Sequence, residues 1–282
     1  MNRKWRNYPG TDGVSEAIGF LLIFSMVIVG IGLVTLYGYP MLLQQQNSAD
    51  ERIMEKNMIV LQNDVKSLSY KMVPYKETSL KIGGGSLTAK NPVGTSSPTF
   101  NVYDENCNFY GSKDLATPAI FQSGGIEYYS PASHTEIALQ NGAVVMRDLG
   151  QSGSTMLAEP RWFIDEETNT IVINLIVLNT SEPVGRSGIG TVRMKLQNVT
   201  FYPPYDIPTG RDIYVSYSPP ASGAQDYTTA WNNYFVNTLG MVEEGSSLCG
   251  TPGTEFRFNK DVDNSRKVIL VIKKYDIAIQ GM

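Results

Sequence analysis

The chain has 282 residues, a formal net charge of -4 and only 18% charged residues, with 26 glycines and 16 tyrosines. That balance argues against nucleic acid as a partner and fits a turn-rich extracellular β domain better than a cytosolic enzyme. The length allows one large domain or two small ones.

Residues 1–13 form a basic leader carrying Arg3, Lys4 and Arg6, and from Ala17 to Tyr39 no Asp, Glu, Lys, Arg or His occurs. As a helix that run covers roughly 35 Å, enough for a bilayer core of about 30 Å. The basic flank places the N-terminal side in the cytoplasm and everything after Tyr39 outside. A conventional secretory signal has a shorter apolar core, about 7–15 residues, followed by a small-x-small cleavage site. The segment YPMLLQQQNSAD offers no such site. An intact signal anchor and a leader cut on the basic side of the apolar run are the remaining readings.

The residues favour the second of these. Asp12-Gly13 is followed by Val14-Ser15-Glu16-Ala17-Ile18-Gly19 and then the apolar run. This resembles the class III signal peptides of archaeal type IV pilin-like proteins, in which Gly or Ala precedes a Val-Ser-(Pro/Glu)-x-Ile-Gly start. The family commonly carries Lys or Arg before that Gly, where this chain has Asp12. The resemblance implies cleavage between Gly13 and Val14 by a prepilin-type peptidase. It also implies an assembly contact from Glu16 to a neighbouring subunit's N-terminal amine. Glu16 equally suits a helix N-terminus, where the macrodipole favours negative charge.

Pro40 removes a backbone donor and is expected to kink or locally melt the helix where it leaves the membrane. Beyond it Met54, Met58, Leu61, Val65, Leu68 and Met72 form an a/d-like stripe. The stripe serves either packing onto the chain's own β domain or helix–helix contact between subunits. Pro74 ends the helix, which from Val14 to Val73 would reach roughly 90 Å if straight.

After Pro74 the pattern alternates. Gly83-Gly84-Gly85 reads as a flexible triplet and residues 90–99 as a loop, with short strands at FNVYDE, FYGS and AIFQ. TEIALQ and AVVMRD form a hairpin across Asn141-Gly142, a type I′ pair. RWFI pairs with TIVINLIVLN across DEETN, and the apolar run 171–178 reads as a central strand buried on both faces. Val192, Met194 and Leu196 alternate with polar residues, and IYVSYS, EFRFN and KVILVIKKYDIAI supply further strands. One short helix is capped by Asp226, carries Tyr227, Ala230, Trp231, Tyr234 and Phe235, and stops at Gly240. The fold class expected is α+β: a long N-terminal transmembrane and amphipathic helix (14–73), then a β-rich extracellular domain (74–282). That domain is expected to be an antiparallel sandwich or barrel with one short helix.

The order Leu61, Asp64-Val65, Leu68, Pro74, Leu80, Gly84-Gly85, NGAVVMRD, a late Ser-Pro, then Ala230-Trp231 and Tyr234-Phe235 is similar to archaeal secreted pilin-like proteins with no assigned activity. It implies an anchored surface β domain that self-assembles or joins other pilin-like subunits, at the cell membrane or in a surface filament.

No catalytic constellation emerges. His134 is the sole histidine, and its neighbour Ser133 would point to the opposite face of a strand. Gly150–Ser154 lacks the last glycine of a nucleophile elbow and reads as a turn. Gly185-Arg186-Ser187-Gly188-Ile189-Gly190 precedes an alternating strand rather than a helix, so it reads as a hairpin loop, not a phosphate loop. One His with two distant Cys makes zinc implausible. The acidic groups Asp104-Glu105, Asp165-Glu166-Glu167 and Asp261-Val262-Asp263-Asn264 offer oxygen ligands for Ca²⁺ but fit solvated turns better. No cofactor is expected. Cys107 and Cys249 are either one long-range disulfide or two buried thiols. Asn179 and Asn198 stand in N-x-S/T triplets, acceptors for glycosylation outside the cell.

Overall fold

The computed structural model describes residues 12–94, 97–111, 120–165, 167–180, 184–221, 226–245, 248–251, 253–258 and 267–282. It divides into two compact units, Met1–Ala49 and Asp50–Met282. The leader, apart from Asp12 and Gly13, lies outside the described residues.

The first unit is helical: α1 (Asp12–Leu33), a π-helical turn (Val34–Gly38) and the start of α2 (Tyr39–Tyr70). Its apolar side chains are exposed, Phe20, Met26 and Leu36 among them. A helix satisfies its own backbone, which an apolar surrounding demands. The two hydroxyls follow suit, Ser25 donating to the Leu21 carbonyl at 2.6 Å and Thr35 to the Ile31 carbonyl at 2.9 Å. The break expected at Pro40 takes another form. Helix geometry runs through the proline, and the irregularity sits one turn earlier, where the Tyr39 N–H bonds to the Val34 carbonyl five residues back. The wider turn absorbs a ladder that the proline cannot continue.

In the second unit the later part of α2 packs on strands. The strands are β1 (Tyr75–Lys90), β2 (Thr99–Asp104), β3 (Phe121–Gln122), β4 (Gly125–Ser130), β5 (Thr135–Gln140), β6 (Ala143–Asp148), β7 (Thr155–Ala158) and β8 (Phe163–Asp165). They continue as β9 (Thr170–Thr180), β10 (Val184–Phe201), β11 (Tyr205–Ile207), β12 (Ile213–Ser218), β13 (Met241–Glu244), β14 (Thr254–Phe258) and β15 (Val268–Gly281). A short helix, α3 (Thr228–Asn233), runs into a π turn ending at Thr238. Among the described residues, a ten-stranded sheet has the order β7-β6-β5-β4-β1-β10-β15-β9-β8, with β11 also on β15. A five-stranded sheet has the order β13-β14-β12-β2-β3. The class is α+β, with sandwich-like sheets.

Two cores lie on opposite faces of the large sheet. The stripe Met54, Met58, Leu61, Val65 and Leu68 is buried against Leu80, Leu87, Ile137, Val144, Ile176, Leu178, Met194 and Ile277. On the other face Val145, Ile173, Leu175 and Ile272 meet Phe100, Val215, Tyr217 and Phe256 of the small sheet and Trp231 of α3. Strand β9 feeds both cores, which is why its run is apolar without alternation. The stripe is thus taken up by the chain's own β domain. Met72 is the exception: it is half exposed, with a left-handed φ of 54°. Helix α2 therefore stops at Tyr70, four residues before Pro74.

A buried polar residue fixes the helix register. Gln62, 1% exposed, donates from Nε2 to the Gly142 carbonyl at 2.7 Å and the Glu159 carbonyl at 2.9 Å. Both acceptors are loop carbonyls that burial would otherwise leave unpaired. Asp64, on the opposite flank of the stripe, accepts from Thr78 and pairs with Lys76 at 3.5 Å.

Both expected hairpins form. Asn141 and Gly142 have φ of 46° and 74° between β5 and β6, and Phe163 faces Val172 across the β8–β9 turn. Four expectations need correction. The sheet is mixed, since β9 and β15 pair in parallel. Gly83-Gly84-Gly85 is not a linker but a bulge inside β1, where residues 83–86 stand opposite Ser187 alone. Gly84 is left-handed there, and a Cβ on Gly85 would run into the Tyr129 carbonyl. The Gly185–Gly190 segment is not a loop but the start of β10, paired with β1 through that bulge. FYGS is not a strand; only Phe109 bridges to Tyr103.

Candidate functional site

Two regions carry functional character. The first is the apolar helix, long and apolar enough to cross a membrane and with none of its apolar window buried within the fold. Gly13 and Val14 lie in the first turn of α1, and Glu16 is exposed a few residues on.

The second is a charged patch on the large sheet that single-strand patterning does not reveal. Along β1, β4, β5 and β6 the polar positions alternate with the apolar ones that face α2, as a half-wet sheet would have it. Thr88 stands opposite Glu127, Tyr129 opposite Glu136, and Glu136 opposite Arg147. Lys90, Glu127, Glu136 and Arg147 therefore fall on one face in the order plus, minus, minus, plus. Lys90 Nζ is 2.5 Å from Glu127, and Arg147 Nε is 3.3 Å from Glu136. The face is only partly open to water, with Tyr129 39% exposed, and Tyr227, at the entry to α3, packs against it. Ser86, Thr88, Lys90, Glu127, Tyr128, Tyr129, Glu136 and Tyr227 enclose a cavity of ≈ 250 Å³.

Burial dominates the electrostatics. It pushes the Glu127 carboxyl up to about 7 against the pull of Lys90, and Glu136 upward against Arg147. Tyr227 is pushed well above the usual tyrosine range by burial and then by the two carboxylates. Its hydroxyl is enclosed and has no hydrogen-bond partner.

These shifts make stability depend on pH. Glu127 holds its proton more tightly folded than unfolded, so stability falls as pH rises from about 4.5 to about 7. The slope from this group is at most about 1.4 kcal/mol per pH unit. Glu127→Gln is expected to flatten that limb in urea titrations at successive pH values.

The acidic groups considered for Ca²⁺ resolve differently. Asp104 is buried rather than solvated. Its Oδ1 accepts from the backbone of Asn106 and Asn108, and its Oδ2 from the Asn108 side chain and, at 3.0 Å, the Tyr110 hydroxyl. Burial opposes its charge, yet the bonds from Asn108, Tyr110 and Asn106 outweigh burial and hold the carboxyl below its ordinary range. The turn so formed presents Cys107, which is bonded to Cys249. On the other side of that disulfide the buried Glu255 accepts from Tyr103, from Thr251 at 3.0 Å and from the Leu248 N–H. Asp165 caps its own turn, accepting from Thr168 at 2.8 Å. Glu166 and Asp261–Asn264 lie outside the described residues. Among the described residues no group of His, Cys, Asp and Glu is placed to hold a metal ion. His134 is exposed in a turn, and Asn179 and Asn198 are exposed on β9 and β10.

The architecture defines an α+β chain with a membrane-length N-terminal helix and a sandwich-like β domain. It belongs to DUF7289, a family of unknown function, whose profile matches residues 13–278. No curated protein and no solved structure matches it.

Proposed function

We propose that the chain is a pilin-like surface protein without a catalytic role: a structural, minor or adhesive subunit of an archaeal type IV pilus-like filament. The observation that carries this reading is α1, an apolar helix with no cover in its own fold, which opens on Gly13-Val14-Ser15-Glu16. A prepilin-type peptidase would cut before Val14, leaving the helix on the mature chain. Helices then leave the bilayer and bundle, burying their apolar surface on one another while the β domains coat the outside. Glu16 supplies a charge to pair with a neighbour's new amine, a favourable exchange where few polar partners exist. The stripe from Met54 to Leu68 is already committed to the β domain, so the run Ala17–Tyr39 is left to make subunit contacts.

The test is the mature N-terminus by mass spectrometry after expression with a prepilin-type peptidase. A start at Val14 is expected; an intact leader would sink the proposal. Sheared cell fractions then separate subunit from anchored monomer, filaments being lost on Glu16→Ala. A second reading, an anchored ectodomain that binds a ligand without polymerising, draws on the cavity under Tyr227.

A further inference from the structure

Of the two N-x-S/T triplets, the fold leaves one within reach of an enzyme and locks the other in place. Asn179 is itself exposed, but the residues on either side of it, Leu178 and Thr180, are 0% and 3% exposed. The backbone there is held along both borders of β9. On one border Asn179 stands opposite Ala278 of β15 in the parallel pair. On the other, the Leu178 N–H donates to the Ser123 carbonyl and the Thr180 N–H to Asn91 Oδ1, both at 2.8 Å. A transferase that seats three successive residues in its own groove has to undo those bonds first. The third residue of that triplet, Ser181, lies outside the described residues.

Asn198 is placed in the opposite way. The pairing of β10 with β1 ends at Lys195, opposite Tyr75, and the Leu196 N–H then bonds to the Pro74 carbonyl at 3.1 Å. From Asn198 to Phe201, β15 is the only strand partner among the described residues. Even that ladder is irregular here: the register slips between Leu196 and Asn198, leaving Gln197 as the extra residue of a bulge. Side chains two apart on a strand share a face, so the amide and the hydroxyl that the triplet requires point the same way. Asn198 is exposed, and its Nδ2 donates to Thr200 Oγ1 at 3.3 Å, while Val199 turns to the core on the α2 side. Opposite Asn198 and Thr200 on β15 stand Asp276 and Lys274, paired with each other at 3.2 Å. Their charges cancel, so an anionic donor meets no local repulsion.

We propose that Asn198 is the glycan acceptor of the folded chain and that Asn179 is not. The donor is an oligosaccharide activated as a lipid phosphate or pyrophosphate ester. Asn198 Nδ2 attacks the anomeric carbon, and the bond from that carbon to the phosphate oxygen breaks. The lipid phosphate leaves with the electron pair and the nitrogen gives up one proton, so an N-glycoside results. Thr200 is a positioning residue, its hydroxyl holding the amide nitrogen that attacks. Neither residue belongs to α1, so this modification does not rest on assembly into a filament.

The test uses the full folded chain, purified from a host without N-glycosylation. It is incubated with an oligosaccharyltransferase of N-x-S/T specificity and a lipid-pyrophosphate oligosaccharide, with a short acceptor peptide in the same tube as the positive control. Intact mass is expected to rise by one glycan, and peptide mapping to place it on Asn198. Occupancy at Asn198 is expected to exceed that at Asn179 by about tenfold or more, the effect of two backbone hydrogen bonds that must open first. The glycan is expected to be lost in Asn198→Gln and in Thr200→Val, regained in Thr200→Ser, and kept in Asn179→Gln. Three results would overturn the proposal: a modified control peptide beside an unmodified chain, equal or greater occupancy at Asn179, or a glycan on Asn198 that survives Thr200→Val. None of them bears on where the leader is cut, so the two proposals fail separately.

Discussion

Trp231→Ala is expected to destabilise the β domain by about 3–5 kcal/mol, a large share of the 5–15 kcal/mol typical of a folded domain. Trp231 is fully buried, and its ring centroid lies 4.7 Å from Phe100, 5.5 Å from Phe235 and 5.6 Å from Tyr217. It is the point where α3, β2 and β12 meet, so truncation opens a void that three elements border and none can fill alone. Trp231→Phe separates volume from polarity. The indole Nε1 is buried without a partner, so the smaller ring loses area but also removes an orphan donor. Its cost is expected to be well under half that of alanine. Urea midpoints for the two variants, at unchanged m-value, check both. Equal losses would mean that the indole N–H is bonded.

The second large effect is expected from the disulfide. Cys107 and Cys249 are 142 positions apart in sequence, so the bond removes much of the unfolded chain's freedom. Replacing both by serine is expected to cost about 2–5 kcal/mol. The double variant is the right comparison, since a single one leaves a free thiol. The bond is also gripped from both ends, by the turn around Asp104 and by the hydrogen bonds to Glu255. Asp104 is held ionised more readily folded than unfolded. Its contribution is therefore present above the ordinary carboxylate range and lost as pH falls through the folded pKa. Thermal melts with and without reductant, at neutral and at acid pH, measure the two contributions together.

Much of the framework is legible in the residues alone. The uncharged run from Ala17, the stripe through Met54 and Leu68, the Asn141-Gly142 turn and the Trp231 helix are all local patterns, each decided within one or two turns of chain. What escapes local reading is decided by partners distant in sequence. The run at 171–178 says that a strand is buried, not that its neighbour is β15 in parallel. Three glycines look flexible until Tyr128 and Ser130, which donate to the Gly83 and Gly84 carbonyls at 2.6 and 3.3 Å, turn them into a fixed bulge. Asp104 looks solvated because its neighbours Glu105 and Asn106 are polar, yet those same residues fold the turn that hides it. The charged patch is the clearest case. Glu127, Glu136 and Arg147 each occupy the outward position of an alternating strand, and only Tyr227, some eighty residues further on, closes the cavity over the carboxylates.

The position of β15 bears on how such a domain is made. It lies inside the large sheet, between β10 and β9, and also carries β11. Until residues 268–281 are in place, β9 and β10 each wait with an unsatisfied edge, and the long-range closure comes last. Waiting edges invite pairing with other chains. A chain made from its N-terminus thus carries two unmatched borders until its final segment threads between them.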